Sequence, residues 1–449
     1  MEKKEYLVGV VSLGCDKNRI DTENMLTELN KSKQFAFTAD PKDADIIIIN
    51  TCAFIASARE ESQDAIKEMI DYKKKGNCKC LVVTGCYPQK YLNDLTDRYK
   101  EVDIFLGTNE YESVQEKILE FLHSESKDQI IKNDSPHHTT EALNGRLITT
   151  PSHYAYLRIA DGCDNFCSYC TIPYIRGRYR SRAMENIIQE AESLVAQGAK
   201  ELIIVAQDTA KYGVDNYGKS VLHELLAKLA AIEELRWIRL LYCYPENITD
   251  ELIEEIKIND KVCKYIDVPF QHVSNNILKA MNRKTSKEEI LKITEKLKNI
   301  SEDMAIRTTF IVGFPGETNV EHSELLKFLK EAKLPNVGFF AYSREDGTVA
   351  ARFDGQIDDG LKQKRLLKAV KVQKKIVQEY NKHFVGRTIN LVVEGFDEQK
   401  GLYVGRSEFQ APDIDTITYF SSDRQLMLGE MISATIVKTK GYDLYAIEN

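Results

Sequence analysis

The strongest constraint on the fold is an alternation: short continuous apolar runs, separated by stretches of helical periodicity, recur from residue 6 to residue 342. A run such as Ile46-Ile47-Ile48-Ile49 has no polar face, so a strand built from it must be covered on both sides. The first three runs, at residues 6–13, 44–50 and 80–84, enclose helical stretches at 20–29 and 57–73, and a final helix is expected at 111–123. This order predicts an open parallel sheet with helices on both faces. From residue 154 the alternation repeats six times, with strands at 154–160, 201–207, 236–242, 264–269, 306–312 and 336–342. Helical stretches at 184–197, 222–231, 249–256, 287–301 and 321–332 lie between them. Right-handed crossovers curl such a series into a partial (β/α)6 barrel, open on one side.

Elsewhere the pattern changes. Residues 124–150 turn polar, contain His137 and His138, and lose periodicity, as a linker or insertion does; the histidine pair reads as a solvated loop. A basic amphipathic helix is expected at 361–384, with Leu366, Val370, Ile376 and Val377 as its apolar stripe against the barrel. Short strands follow at 388–394, 402–407, 417–420, 431–439 and 444–447, the signature of a small antiparallel β-barrel of the oligonucleotide-binding type. At 449 residues, and roughly 150 residues per domain, about three domains are expected. The predicted division is an N-terminal α/β domain at 1–123, a linker at 124–150, a barrel domain at 151–382 and a β-domain at 383–449.

Ten cysteines without a secretory signature read as metal ligands or catalytic thiols rather than a disulfide framework. Cys163, Cys167 and Cys170 share one loop, at spacings of four and three, directly after the first barrel strand, on the face where such barrels place active sites. Thiolates are soft ligands that hold iron–sulfur clusters. Three of them can converge on a cubane 4Fe-4S cluster and leave its fourth iron open for chemistry. A structural zinc site would need a fourth ligand, and the nearest histidine, His153, lies upstream on a strand. A redox pair uses two cysteines, not three.

Each N-terminal strand also ends in a cysteine: Cys15, Cys52 and Cys86. Ligands of open parallel sheets bind beyond the carboxyl ends of the strands, so these three thiols are expected to meet at one rim around a second cluster. The plain alternative is three small buried hydrophobes. Cys78, Cys80, Cys243 and Cys263 have no cysteine partner at ligand spacing and are assigned to packing.

Other loops at the carboxyl ends of the barrel strands carry Gln207-Asp208-Thr209, Gln271-His272-Val273-Ser274, Gly313-Phe314-Pro315-Gly316-Glu317 and Ser343-Arg344-Glu345-Asp346-Gly347-Thr348. Gly313 and Gly316 would allow the close backbone approach an adenosine needs. Arg176, Arg178, Arg180 and Arg182 alternate just after the cysteine loop and are expected to neutralise an anionic cluster, a cofactor carboxylate or an acidic substrate group. A basic surface strand is the alternative.

No apolar run reaches the roughly 18 residues of a membrane span, and the charged start Met1-Glu2-Lys3-Lys4-Glu5 has no signal-peptide core behind it, so a cytoplasmic protein without a membrane partner is expected. The net charge is −8, and residues 383–449 hold six Lys and Arg against ten Asp and Glu. An RNA-binding barrel is expected to be basic. The balance therefore points away from tight nucleic-acid binding and towards a basic protein partner.

The pattern Cys-x3-Cys-x2-Cys, with the aromatic Tyr169 before its last cysteine, resembles the radical S-adenosylmethionine (SAM) signature. Together with Cys15, Cys52, Cys86 and the C-terminal β-domain, nearly the whole chain resembles the radical SAM methylthiotransferases, built from a methylthiotransferase domain, a radical SAM domain and a TRAM domain. The resemblance implies SAM and two 4Fe-4S clusters as cofactors. One cluster, on Cys163, Cys167 and Cys170, chelates SAM, with Tyr169 near the adenine; Gln207, Gly313, Gly316 and Arg176 complete the expected cofactor-binding set. The other, on Cys15, Cys52 and Cys86, carries the sulfur.

Ser12-Leu13-Gly14-Cys15-Asp16-Lys17-Asn18, Tyr342-Ser343-Arg344-Glu345-Asp346-Gly347-Thr348 and Ala411-Pro412-Asp413-Ile414-Asp415 look like the branch that modifies a ribosomal protein more than the tRNA branch. That branch usually has proline where Asp16 stands and glycine where Thr416 stands. The implied reaction is methylthiolation of the β-carbon of one aspartate in the twelfth protein of the small ribosomal subunit. Two SAM are used per turnover, one to methylate the sulfur and one cleaved to a 5′-deoxyadenosyl radical, with electrons from a donor such as flavodoxin or ferredoxin. Side-chain acids and bases cannot break an unactivated C–H bond, so a cofactor must supply the radical. The competing readings are methylthiolation of a tRNA adenosine, which the arginine run could serve, and a non-catalytic iron–sulfur protein for electron transfer or sensing.

Overall fold

A computed structural model describes residues 6–134 and 145–449. His137 and His138 lie outside the described residues. The apolar runs become strands Tyr6–Ser12, Ile46–Thr51 and Cys80–Gly85, the last two buried at every position. They form the centre of a six-stranded, all-parallel sheet. Phe35–Thr38 forms one edge; Ile104–Leu106 and Ile130–Lys132 complete the other side.

Two strands of this sheet are additions to the expected set, whose last strand, closed by Gly107-Thr108-Asn109, is Ile104–Leu106. Phe35–Thr38 is a four-residue edge, and Ile130–Lys132 lies inside the stretch expected as a polar linker. Neither is long enough to display a period; pairing, such as Ile104 opposite Ile130, makes the strand where local sequence does not. The end of that stretch is also docked rather than solvated. Arg146 is buried between Glu23 at 3.3 Å and Glu190 at 3.0 Å, and the Leu147 and Thr149 amides donate to Thr27 and Glu23, each at 2.8 Å.

The six central strands run Tyr154–Arg158, Glu201–Val205, Trp237–Leu240, Val262–Asp267, Ala305–Val312 and Asn336–Ala341, adjacent in chain order and all parallel. The crossover helices cover the outer face, where Leu202, Ile204, Ile238 and Ile306 meet Ile187, Leu225, Ile256 and Leu325. The inner face is filled differently. Ile203, Val205, Trp237 and Tyr265 pack there with Ile20 from the N-terminal part and Val392 and Ala411 from the C-terminal barrel.

The C-terminal strands close into a five-stranded barrel, Thr388–Asp397, Leu402–Arg406, Thr418–Ser421, Met431–Lys440 and Asp443–Glu448. The helix leading into it spans Asp359–Lys382 and packs against the last central strand. Its expected stripe is corrected at one position: Val370 faces solvent, while Ala369, Gln373 and Val377 are buried. Gln373 is admitted because its amide donates to the Leu334 and Pro335 carbonyls, so a polar residue holds a place that apolar patterning assigned to Val370.

Candidate active site

Cys15, Cys52 and Cys86 stand at the ends of three adjacent parallel strands, and two of them begin or precede a helix: Cys15 caps Asp16–Asn30 and Cys86 opens Cys86–Arg98. The turns need glycine. A Cβ on Gly14, φ +89°, would lie 2.7 Å from Cys52 Cβ, and one on Gly85, φ +100°, would lie 2.3 Å from Asn50 Oδ1. Asn18 then ties the three loops together. Its amide donates to the Leu13 and Thr51 carbonyls at 3.2 and 3.0 Å, and its Oδ1 accepts from the Cys86 thiol at 3.5 Å. Ser62 holds the Cys52 backbone through both its amide and its carbonyl.

Cys15 is exposed, whereas Cys52 and Cys86 are buried. Burial raises the Cys52 thiol and pushes Cys86 up to about 12, while the Arg176 guanidinium opposes both shifts. A cavity of about 870 Å³ opens beside Cys15, lined by Gly14 and Asp16, by Tyr156 and Tyr242 of the barrel, and by Asp413 of the C-terminal domain.

Cys163, Cys167 and Cys170 occupy the loop after the first central strand. Gly162, φ +77°, precedes them; a Cβ there would lie 2.0 Å from the Arg178 carbonyl oxygen. Donors aim at the sulfurs. The Asn165 amide reaches Cys163 Sγ at 3.5 Å, the Ile172 amide reaches Cys170 Sγ at 3.4 Å, and Arg283 Nη1 reaches Cys167 Sγ at 3.9 Å. The Tyr244 hydroxyl lies 3.8 Å from Cys167 Sγ. Burial pushes the Cys163 thiol up to about 12 and raises Cys170. Asp208 braces this loop, accepting from Asn165 Nδ2 at 3.1 Å and Asn247 Nδ2 at 2.7 Å; its burial pushes the carboxyl up to about 6.

Tyr169 packs edge-on to Phe314, ring centres 6.4 Å apart, beside Met281 and Tyr342. Gly316 has open space where a side chain would project. Gly313 does not. Its amide is taken by Glu317, and a Cβ would lie 2.4 Å from Lys362 Cγ, so its lack of a side chain admits the Asp359–Lys382 helix. Gln207 donates to Asp161 at 2.9 Å and keeps a buried oxygen without a hydrogen bond among the described residues. His272, in the loop after the fourth central strand, is fully buried and accepts from the Ser274 amide at 3.0 Å.

Two members of the arginine run, Arg176 and Arg182, are buried, while Arg178 is exposed. Arg176 donates to Asn18 and Asp21, Arg178 pairs with Asp164 at 3.3 Å, Arg180 donates to backbone carbonyls, and Arg182 pairs with Glu190 at 2.7 Å. Arg176 therefore stands next to the first cysteine trio while belonging to the loop of the second. A further bridge joins the two regions: Glu345 accepts from Arg59 and from the Ala56 amide. Asn18, Tyr244 and Arg283 were not singled out from sequence. Asn18 lies within a recognised stretch, but the other two carry no local signal, being brought to Cys167 only by the curvature of the sheet.

Among the described residues, no three His, Cys, Asp or Glu side chains already stand in a metal-holding arrangement. The donor sets nonetheless fit iron–sulfur clusters: three thiols per site, backbone amides and a guanidinium aimed at sulfur, and burial that favours charge shared with a metal over free thiolate.

Residues 7–107 match the Uncharacterized protein family UPF0004, residues 157–329 the Radical SAM superfamily and residues 385–447 the TRAM domain. Radical SAM proteins use SAM and a 4Fe-4S cluster. Among solved structures the fold is similar to the radical S-adenosylmethionine methyltransferase TsrM from Kitasatospora setae with cobalamin and a [4Fe-4S] cluster bound, TM-score 0.56, 14% identity, covering 76% of this chain and 75% of that one. Among the described residues no helix is long and apolar enough to cross a membrane. The chain is 49% identical over 440 residues to the ribosomal protein uS12 methylthiotransferase RimO of Clostridium botulinum (strain Hall), covering 98% of this chain and 97% of the relative. It is 48% identical over 444 residues to the protein of the same name from Clostridium perfringens (strain 13), covering 99% and 98%. With this similarity running nearly the whole length of both chains, the chain belongs to the RimO family of ribosomal protein uS12 methylthiotransferases.

Proposed function

We propose that this protein adds a methylthio group to the β-carbon of an aspartate of ribosomal protein uS12, using SAM and two 4Fe-4S clusters. The observation that carries the reading is the presence of two separate cysteine trios at strand ends of two parallel sheets, linked by one buried arginine, Arg176. Cys163, Cys167 and Cys170 would hold one cluster and Cys15, Cys52 and Cys86 the other. With SAM, these groups would supply the radical that removes hydrogen from an unactivated carbon and the sulfur and methyl that replace it.

The chain's own residues prepare the site for that chemistry. Arg283 and the amides of Asn165 and Ile172 stabilise negative charge on the second trio of sulfurs. Tyr169, backed by the buried Phe314, offers an aromatic face for an adenine. Arg176 and Asn18 support the first trio.

The burial of Arg176 and Arg182 against Asp21 and Glu190 favours a protein substrate over tRNA, because these two cations are already neutralised inside the fold. The acidic balance of residues 383–449 suits a basic ribosomal protein. A flavodoxin or ferredoxin is the proposed electron donor. The test is anaerobic reconstitution with iron and sulfide, then incubation with SAM, reductant and uS12. A mass gain of one methylthio group on uS12 is expected; modification of tRNA in its place would overturn the assignment.

A further inference from the structure

Phe166 stands between Asn165, whose amide reaches Cys163 Sγ, and Cys167. It takes a left-handed backbone, φ +47°, and its ring is 38% exposed although both chain neighbours are buried. That backbone costs a non-glycine residue free energy, and core packing does not offset it here, because the ring faces water.

Cations surround the ring. Arg178, itself exposed, stacks on it at 4.9 Å, and Lys211 reaches the same loop through Asp164 at 3.2 Å. The turn Met281-Asn282 packs against the loop from another element. Asn282 Nδ2 donates to the Phe166 carbonyl at 2.9 Å, and the Met281 carbonyl accepts from the Ser168 amide at 3.0 Å. Exposed Lys279 and Lys284 flank that turn, with no carboxylate paired to either among the described residues. Asp164, the one acid within the cysteine loop 163–170, is shared by Arg178 and Lys211. A chain of net charge −8 thus gathers Arg178, Lys211, Lys279 and Lys284 around an exposed aromatic ring next to Cys167.

We propose that this face docks a flavodoxin of acidic surface, which passes an electron to the cluster on Cys163, Cys167 and Cys170. The inference rests on the reading that those thiols hold a cluster. A protein-bound flavin presents its apolar dimethylbenzene edge, which an outward phenyl ring matches, and an acidic rim around that edge meets the four cations. One electron leaves the flavin hydroquinone, which becomes the semiquinone, and takes the cluster from its oxidised to its reduced state; no bond forms or breaks. The loop that carries the thiols itself reaches the surface at Phe166, so the donor approaches without crossing the fold.

The experiment titrates flavodoxin onto reconstituted enzyme, following flavin fluorescence, and separately measures 5′-deoxyadenosine formed with reduced flavodoxin or with dithionite. The double variant Lys279→Glu, Lys284→Glu is expected to bind flavodoxin roughly tenfold more weakly at low salt and to lose flavodoxin-driven cleavage of SAM. Its iron content and its dithionite-driven cleavage should match wild type. Added salt should weaken wild-type binding and change the double variant little. Unchanged binding in the double variant, or wild-type binding indifferent to salt, overturns the proposal. So does an equal loss with dithionite, which would mark the lysines as structural, or a ferredoxin that binds this face more tightly than flavodoxin. A wild type that binds flavodoxin through these lysines but cleaves SAM with neither reductant sinks the proposed reaction and leaves the docking face standing.

Discussion

Arg176 donates to Asp21 Oδ2 at 2.6 Å, with both side chains buried, and thereby fastens the loop after the second cysteine trio to the helix that begins beside the first. Breaking a buried pair by removing one partner strands a charge, at a cost of about 3–5 kcal/mol. Arg176→Ala should lower the thermal midpoint by several degrees, and Arg176→Lys should fall between it and wild type, since lysine keeps the charge but not the two-pronged contact to Asn18 and Asp21. An Arg176→Ala melt that overlays wild type refutes this.

The two trios should be separable by chemistry. Replacing Cys15, Cys52 and Cys86 with alanine is expected to leave about half the iron and to spare reductive cleavage of SAM to 5′-deoxyadenosine while abolishing sulfur insertion. Replacing Cys163, Cys167 and Cys170 should abolish both products. Iron assay and chromatography of the nucleoside decide the matter.

The His272 imidazole is pushed down from its ordinary 6.5 to about 4, chiefly by burial; Glu317, Glu324, His322 and Glu321 are its titratable neighbours. Below pH 6.5 the unfolded chain takes up a proton that the folded chain refuses until about pH 4. Folding stability is therefore intact above pH 6.5 and falls by about 3 kcal/mol on the way down to pH 4 from this group alone. His272→Asn, whose side-chain oxygen can still accept from Ser274, should flatten the pH dependence of denaturant midpoints over that window. A slope identical to wild type would show that the imidazole is not the group responsible.

Glu345 receives both Arg59 and the Ala56 amide across the junction of the N-terminal and barrel regions. Glu345→Gln removes the charge from that junction and should cost about 2 kcal/mol, Arg59 being partly open to water. Limited proteolysis between the two sheets should accelerate in the variant, and equal digestion rates would count against the junction as drawn.

Gly162→Ala places a methyl 2.0 Å from a backbone oxygen at φ +77°. The left-handed backbone alone costs about 1–2 kcal/mol, and the clash adds to it because a carbonyl cannot swing away as a side chain can. The expected result is a protein that folds less stably and recovers less iron on reconstitution. Full iron recovery would mean that the loop has more freedom than its contacts suggest.

Much of this could be read along the chain. The cysteine spacing 163, 167, 170, the cysteines at three strand ends and the parallel strand–helix alternation of both sheets depend on local patterns and on the handedness of crossovers, which sequence carries directly. The strand Ile130–Lys132 escaped, since three residues show no period, and so did the buried Arg146, whose acidic partners come from two distant helices. Gly313 was read as a ligand contact because a glycine marks close approach without naming what approaches; Lys362 does.

The sequence by itself determined the chemistry available: two sets of three thiols, one set at the ends of three strands and the other in a single loop, and parallel sheets to carry them. Only the tertiary structure decided what surrounds those thiols, bringing Arg283 and Tyr244 to Cys167 and Asn18 to Cys86. The division is physical. Strand formation and loop position follow from patterns a few residues long, whereas the charge and hydrogen bonds around a buried sulfur come from side chains far apart in sequence that meet only when the domains pack.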